Sequence, residues 1–290
     1  MRAASRLRAA LEREKFLVAP GAYDCLTAKA VERAGYSAIY MTGMGTSISR
    51  LGLPDYGLAT MSEMVANASA MAAAVEIPII ADADTGYGNE LNMARTVREY
   101  ERHGVAGIHV EDQVFPKKCG HLDQKQVISQ EAFISKIRTA VDARRDEDFV
   151  IIARTDANGV LSFQAALDRA NAALEAGATM ALVEAPTTVE QLRAVPQQVG
   201  GPCVLNVLVG GKSPLLSLDQ IAEMGYSAVL LSDLLLGTLM ARCDEVLAHV
   251  RASHEPLGFP NALSPKAIFQ RFGAEHWDRL RNESAESVIK

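Results

Sequence analysis

The feature that most limits the fold is an alternation: short apolar runs rich in β-branched residues are separated, one after another, by stretches with helical periodicity. That is the pattern of βαβ units around a parallel sheet. Eight strands are predicted, at residues 16–21 (FLVAPG), 38–43 (AIYMTG), 77–84 (IPIIADAD), 107–112 (GIHVED), 149–156 (FVIIARTD), 181–186 (ALVEAP), 203–207 (CVLNV) and 228–233 (AVLLSD). Helix-like stretches lie between them, at 24–34, 91–102, 130–143, 163–176, 189–199 and 218–224, and several are followed by glycine, as helix C-termini often are. Eight strand and helix pairs suit a closed (β/α)8 barrel of the TIM type better than an open doubly wound sheet. Such a barrel uses about 250 residues as one domain, so residues 1–250 are expected to form a catalytic barrel. A long helix is expected at 234–251, and 251–290 exceeds what closure needs and reads as a helical extension.

Polar residues collect at the C-terminal ends of the apolar runs: Thr42, Asp82 and Asp84, Glu111 and Asp112, Arg154 and Asp156, Glu184, Asn206, and Ser232 with Asp233. In a barrel these positions converge on the mouth where active sites of this architecture lie. Any one of them reads equally well as a turn residue. Five strands ending in carboxylates, Arg or Asn point to a site.

Composition removes several alternatives. With 29 Lys plus Arg, 35 Asp plus Glu, a net charge of −6 and 49% hydrophobic residues, the chain is neither disordered, collagen-like nor a disulfide scaffold. It has no Lys/Arg run, so neither a nucleic-acid footprint nor a polybasic membrane contact is expected. Cys25, Cys119, Cys203 and Cys243 have no zinc-type spacing, and disulfides are not expected. The start, MRAASRLRAALEREKF, is amphipathic and has no continuous apolar core of a secretory signal. A cytoplasmic location is expected; an organellar targeting segment is the alternative, against which Glu12 and Glu14 suggest an ordinary helix.

Three constellations carry chemistry. Asp55, Asp82, Asp84 and Glu111 could share one divalent ion, because residues two apart on a strand face the same side and crowded carboxylates need a compensating charge. An all-oxygen set suits Mg²⁺ or Mn²⁺, with one direct ligand and others through water; the alternative is that these acids cap helices or pair with Lys and Arg. Cys119, in PKKCGH beside Lys117, Lys118 and His121, has the electropositive setting that lowers a thiol pKa, whereas Cys25, Cys203 and Cys243 read as small packed hydrophobes. Arg154 could bind a carboxylate or pair with Glu184 or Asp156, and the loop Gly210-Gly211-Lys212-Ser213-Pro214 could hold an anion. His103 and His109 read as ordinary helix-end and strand residues, and no nucleotide fingerprint is present.

The runs MTGMGTSISRLGLPD, ADADTGYGN, GIHVEDQVFPKKCGH, ARTDA and VEAP resemble the isocitrate lyase and phosphoenolpyruvate mutase superfamily over roughly residues 5 to 250. KKCGH is specific to its carbon-carbon lyase branch; phosphonate-forming mutases carry an Asn-containing loop instead. In outline the chain is similar to 2-methylisocitrate lyases and 2,3-dimethylmalate lyases, and NVLVGGKSPLLS resembles the GGKTP form of the latter.

The resemblance implies a Mg²⁺ site at Asp55, Asp82, Asp84 and Glu111. It also implies a loop for the 2-oxo acid carboxylate at Thr42, Gly43 and Met44, and substrate contacts from Asp82, Lys117, Gly120, Arg154, Glu184, Asn206 and Ser213. Cys119 matches the general acid, with His121 and Arg154 beside it, and Tyr40 aligns with a Tyr near the reacting hydroxyl. Met44 stands where methylisocitrate enzymes have Gly, which narrows the pocket against a bulky tricarboxylate. The implied reaction cleaves a substituted 2-hydroxy di- or tricarboxylate to pyruvate, or another 2-oxo acid, and a carboxylic acid. Oxaloacetate hydrolysis or decarboxylation is the alternative on the same metal site, and a non-catalytic barrel is a third. The resemblance further implies a homotetramer whose dimers exchange C-terminal helices.

Overall fold

The computed structural model describes residues 2–255 and 263–288, with side chains described to residue 283; most of the HEPLGFPNALSP stretch lies outside the described residues. The chain divides into two compact units, Met1–Thr238 and Leu239–Lys290. In the first, the elements run α1 (Ala3–Glu14), β1 (Leu17–Ala22), α2 (Cys25–Arg33), β2 (Ile39–Met41), α3 (Gly43–Thr46), α4 (Met61–Ala74), β3 (Ile79–Asp82), α5 (Glu90–Arg102), β4 (Gly107–Glu111) and α6 (Gln130–Ala143). They continue through β5 (Val150–Thr155), α7 (Phe163–Glu175), β6 (Met180–Val183), α8 (Val189–Gln198), β7 (Cys203–Val207), α9 (Leu218–Glu223) and β8 (Ala228–Leu231). Then α10 (Leu234–Ser253) runs across the division between the units, and α11 (Pro265–Arg271) and α12 (Ala274–Val288) follow.

All eight strands are parallel, in the closed order β1-β2-β3-β4-β5-β6-β7-β8, with β1 returning to β8. This is the expected TIM-type barrel. Each predicted strand exists, but β2, β3, β4, β5, β6 and β8 are shorter than their apolar runs, and at three of them a local cause is visible. Thr42 leaves β2 because its Oγ1 accepts the Gly45 N–H at 2.8 Å and caps α3. β3 starts after Pro78, which has no N–H for the ladder, and stops before Asp84, whose φ is +47°. Ala185, at φ +52°, ends β6.

Helix starts follow side-chain chemistry. Asp24, Thr60, Asn89 and Ser217 each form a capping box with the residue three on, satisfying amide groups that the first turn leaves free.

Packing is organised by the period of two along each strand. Leu17, Ala19, Ala38, Tyr40, Ile80, Val150, Ile152, Met180, Leu182, Val204, Ala228 and Leu230 pack together inside the barrel, and Leu7 and Ala10 of α1 join them. Their neighbours in sequence, such as Ile39, Met41, Ala81, Ile151, Ala181, Cys203 and Val229, pack instead against the helices. Among the described residues no helix is long and apolar enough to cross a membrane.

Candidate active site

The polar residues at the barrel mouth continue the inward parity of their strands. Thr42 follows Tyr40, Asp82 follows Ile80, Arg154 follows Ile152, Glu184 follows Leu182, Asn206 follows Val204 and Ser232 follows Leu230, each two residues on. On β4 the outward residues are Ile108 and Val110, which turns His109 and Glu111 inward. The strands therefore hand one ring of polar side chains to a small cavity of about 30 Å³. It is lined by twelve of the expected site residues: Tyr40, Thr42, Gly43, Met44, Asp55, Asp82, Cys119, Gly120, His121, Arg154, Glu184 and Asn206. Leu208 and Ser232 complete the lining. A roomier cavity, about 540 Å³, lies elsewhere, between α1, α5 and residues 145–149.

Asp82 sits at the centre of one group. It accepts hydrogen bonds from the Gly43 amide at 3.1 Å, the Asp84 amide at 2.9 Å and the Tyr40 hydroxyl at 3.3 Å. His109 Nε2 lies 2.6 Å from the Tyr40 oxygen and 3.3 Å from Asp82 Oδ1. Burial alone would raise the Asp82 pKa, but His109, Lys117 and Arg154 outweigh it and hold the carboxyl far below the usual range. Burial drives Tyr40 well above the usual phenol value. A Cβ on Gly43 would stand 2.5 Å from Asp82 Oδ2, so the α3 N-terminus can approach that carboxylate only with glycine there.

A second group surrounds Lys117, whose ammonium lies 2.5 Å from Asp55 and 2.9 Å from Asp84. Burial pushes Asp84 up to about 6 against the pull of Lys117. Lys117 itself is driven well above its ordinary value: Asp84 and Asp55 overcome the burial penalty. Glu111 is also pushed well up by burial, although Arg154 Nη1 is 3.2 Å from its Oε2. Its Oε1 is buried without a hydrogen-bond partner. Among the described residues no three His, Cys, Asp or Glu side chains are drawn together as a direct metal cage. Of the four expected acids, Asp55 and Asp82 line the cavity and Asp84 and Glu111 are buried outside its lining; all four offer oxygen donors, and Asp84 Oδ1 and both Glu111 oxygens are buried without a hydrogen-bond partner. Such a donor set fits a hard, partly hydrated cation.

Arg154 ties the third group together. Its Nε is 3.0 Å from Asp156 and 3.6 Å from Glu184. Burial works against the Glu184 charge, but Arg154 and His121 hold its pKa down at about 2. Asn206 donates to Glu184 at 3.0 Å and accepts from the Ser232 hydroxyl. His121 Nδ1 accepts the Lys212 amide at 2.9 Å, which places the ring proton on Nε2, 3.1 Å from Glu184.

Cys119 faces this group from the loop 113–127. The expected lowering of its thiol pKa is corrected: burial pushes it above the ordinary value. The Lys117 ammonium is committed to Asp55 and Asp84, and the pull of Arg154 does not offset the burial of the thiol. A protonated thiol at neutral pH is a proton donor rather than a nucleophile. Among the other cysteines, Cys203 is buried as expected, but Cys243 is exposed.

Two further sequence readings change. The Lys212 ammonium reaches Asp123 at 2.5 Å and does not line the cavity, nor does Ser213, whose Oγ is buried without a partner. His109, read as an ordinary strand residue, contacts both Tyr40 and Asp82. The signal was its inward parity with Glu111. Asp112, one residue out of phase, faces outward and accepts from Thr155 and Arg169 at 2.6 and 2.8 Å.

Comparison with known proteins agrees with this geometry. A family model described as phosphoenolpyruvate phosphomutase matches residues 7–251. The 2,3-dimethylmalate lyase of Eubacterium barkeri is 47% identical over 227 residues, 78% of this chain and 78% of that one. The 2-methylisocitrate lyase of Aeropyrum pernix is 45% identical over 224 residues, 77% of this chain and 72% of that one. Among solved structures, oxaloacetate acetylhydrolase in complex with the inhibitor 3,3-difluorooxalacetate superposes with a TM-score of 0.93 at 38% identity, covering 98% of this chain and 97% of that one. Phosphonopyruvate hydrolase in complex with oxalate and Mg²⁺ superposes with a TM-score of 0.88 at 33% identity, covering 97% and 99% of the two chains.

Proposed function

Because the chain belongs to the phosphoenolpyruvate mutase and isocitrate lyase superfamily and is a carbon-carbon lyase of it, we propose that its substrate is a substituted malate of the 2,3-dimethylmalate type. The products are pyruvate, or another 2-oxo acid, and a carboxylic acid. The observation that carries this reading is Cys119: a half-buried, protonated thiol facing a cavity lined by Arg154 and Glu184. Met44 in the same lining, and the cavity's small size, favour a compact dicarboxylate over a tricarboxylate.

The cofactor of this reading is Mg²⁺, with Mn²⁺ as its substitute, held by Asp55, Asp82, Asp84 and Glu111. The oxygen-only donors and the unmatched Glu111 Oε1 support that assignment. When bound, the ion supplies positive charge to the carboxylate and 2-oxygen of the acid. Thr42, Gly43 and Met44 form the wall for the 2-oxo acid end. Tyr40 relays the proton of the 2-hydroxyl as the C2–C3 bond breaks: its oxygen takes that proton while its own phenolic proton passes to His109 Nε2, 2.6 Å away. Arg154 neutralises the enolate that departs, and Cys119 Sγ–H delivers the proton to its carbon while His121 and Gly120 keep the loop closed against water.

The test is a product assay with Mg²⁺ on 2,3-dimethylmalate, 2-methylisocitrate, isocitrate and oxaloacetate. Pyruvate with an equimolar carboxylic acid from the dimethylmalate supports the reading. The likeness to oxaloacetate acetylhydrolase favours a second one, hydrolysis of oxaloacetate, and acetate plus oxalate as the only products would establish it. In the C-terminal unit Leu239, Met240, Leu247, Ile268, Phe269, Trp277 and Leu280 are exposed, and the proposed assembly is a homotetramer in which other copies cover them. The setting of this reaction is the cytoplasm.

A further inference from the structure

We propose that Lys125 is a positioning residue for the reaction: it fastens the tip of the Cys119 loop to the barrel wall and so holds the thiol at the cavity. The inference rests on the reading of Cys119 as the proton donor. The loop 113–127 is closed at its base, where Gln113 and Val127 form an antiparallel bridge and the Val114 amide donates to the Gln126 carbonyl at 2.8 Å. The Gln113 side chain adds two bonds to Lys118, at 2.8 and 3.0 Å. Those contacts fix the stem. They do not reach the tip.

Lys125 reaches it from the returning limb. Its ammonium donates to the Gly120 carbonyl, next to Cys119, and to Asp156 Oδ1 at 2.7 Å. The Lys125 side chain is 2% exposed and that of Asp156 is fully buried. Asp156 is no free partner: it also receives Arg154 Nε at 3.0 Å, and its amide donates to Asp112 at 2.8 Å, so it is held in place from within the barrel. A lysine buried this deeply is favourable only if its charge and its donors are matched, which ties its geometry to both acceptors. Opening the tip would break the bond to Gly120 and uncover the pair. Gly120 is itself confined, since a Cβ there would collide with Arg154 Nη2 and stand 2.6 Å from Glu184 Cγ. The tip therefore has one seat, which Lys125 sets at Gly120 while His121, held by the Lys212 amide at 2.9 Å and 3.1 Å from Glu184, sets it on the other side.

The test compares Lys125→Met, Lys125→Gln and Lys125→Arg with the wild type in the full-length enzyme. Two quantities are measured: kcat and KM for the substrate identified by the product assay, and the rate at which iodoacetamide labels each cysteine, resolved by mass spectrometry. Lys125→Met is expected to lower kcat about 10- to 100-fold with KM within about threefold, and to speed Cys119 labelling several-fold while the other three cysteines keep their wild-type rates. Lys125→Arg, which keeps the charge, is expected to recover part of both. If Lys125→Met does not fold, Lys125→Gln gives the same two readings. Variants with wild-type kcat and wild-type Cys119 labelling overturn the proposal. Failure of the proton-donor reading is distinguishable, because Cys119→Ser would then keep its turnover while the labelling change in the Lys125 variants persisted.

Discussion

At neutral pH the half-buried Cys119 thiol keeps its proton, so it should react slowly with iodoacetamide at pH 7, and its rate should rise steeply only under alkaline conditions. Site-resolved labelling from pH 7 to 10 checks this; a Cys119 that reacts fastest at pH 7 contradicts it. Glu184 gives a second prediction. Its folded pKa of about 2 lies below the ordinary value of about 4.3, so the folded state binds fewer protons there. The resulting stability is fully present above about pH 4.3 and is lost as pH falls towards 2, on the order of 2–3 kcal/mol. Glu184→Gln should flatten the urea-unfolding free energy across that window, and a slope equal to wild type would contradict it. The sequence made Cys119, Arg154 and Glu184 legible because each ends an apolar run or stands in a distinctive motif. It could not place Lys117 between Asp55 and Asp84, or His109 beside Tyr40, because those partners come from other strands and loops.

The strands and loops carry the site through parity and pinning. Ile152 is fully buried in the barrel interior two residues below Arg154, so Ile152→Ala should cost about 2–5 kcal/mol in unfolding free energy and loosen the floor of the site. A loss below about 1 kcal/mol would mean that the interior is not packed as described. The Lys212–Asp123 pair joins the loop after β7 to the Cys119 loop, but it is exposed, with side-chain accessibilities of 33% and 87%. Lys212→Ala should therefore change kcat/KM less than about fivefold, an effect of under about 1 kcal/mol. All eight strands were legible from their apolar runs, and α6 at its full length. α4 was not singled out: MSEMVANASAMAAA has little contrast between its faces, so its periodicity is weak. The ends of β2, β3 and β6 escaped notice because capping by Thr42 and the positive φ of Asp84 and Ala185 decide them, not hydrophobicity.

For the whole molecule, the alternation of strands and helices was enough to predict the barrel, whereas the arrangement of copies is not written in one chain's core. Light scattering should give four times the 31.2 kDa protomer mass, and a monomer at micromolar concentration would contradict the assembly. Mg²⁺ at a hundred times its Kd should raise folded stability by about 2.7 kcal/mol, read as a rise in Tm that EDTA reverses. The most direct test of the central account is the turnover of Cys119→Ser with 2,3-dimethylmalate and Mg²⁺. The account predicts a fold and pyruvate binding equal to wild type with cleavage slowed about 10²- to 10⁴-fold. Near-normal release of pyruvate and carboxylic acid would remove Cys119 from the chemistry.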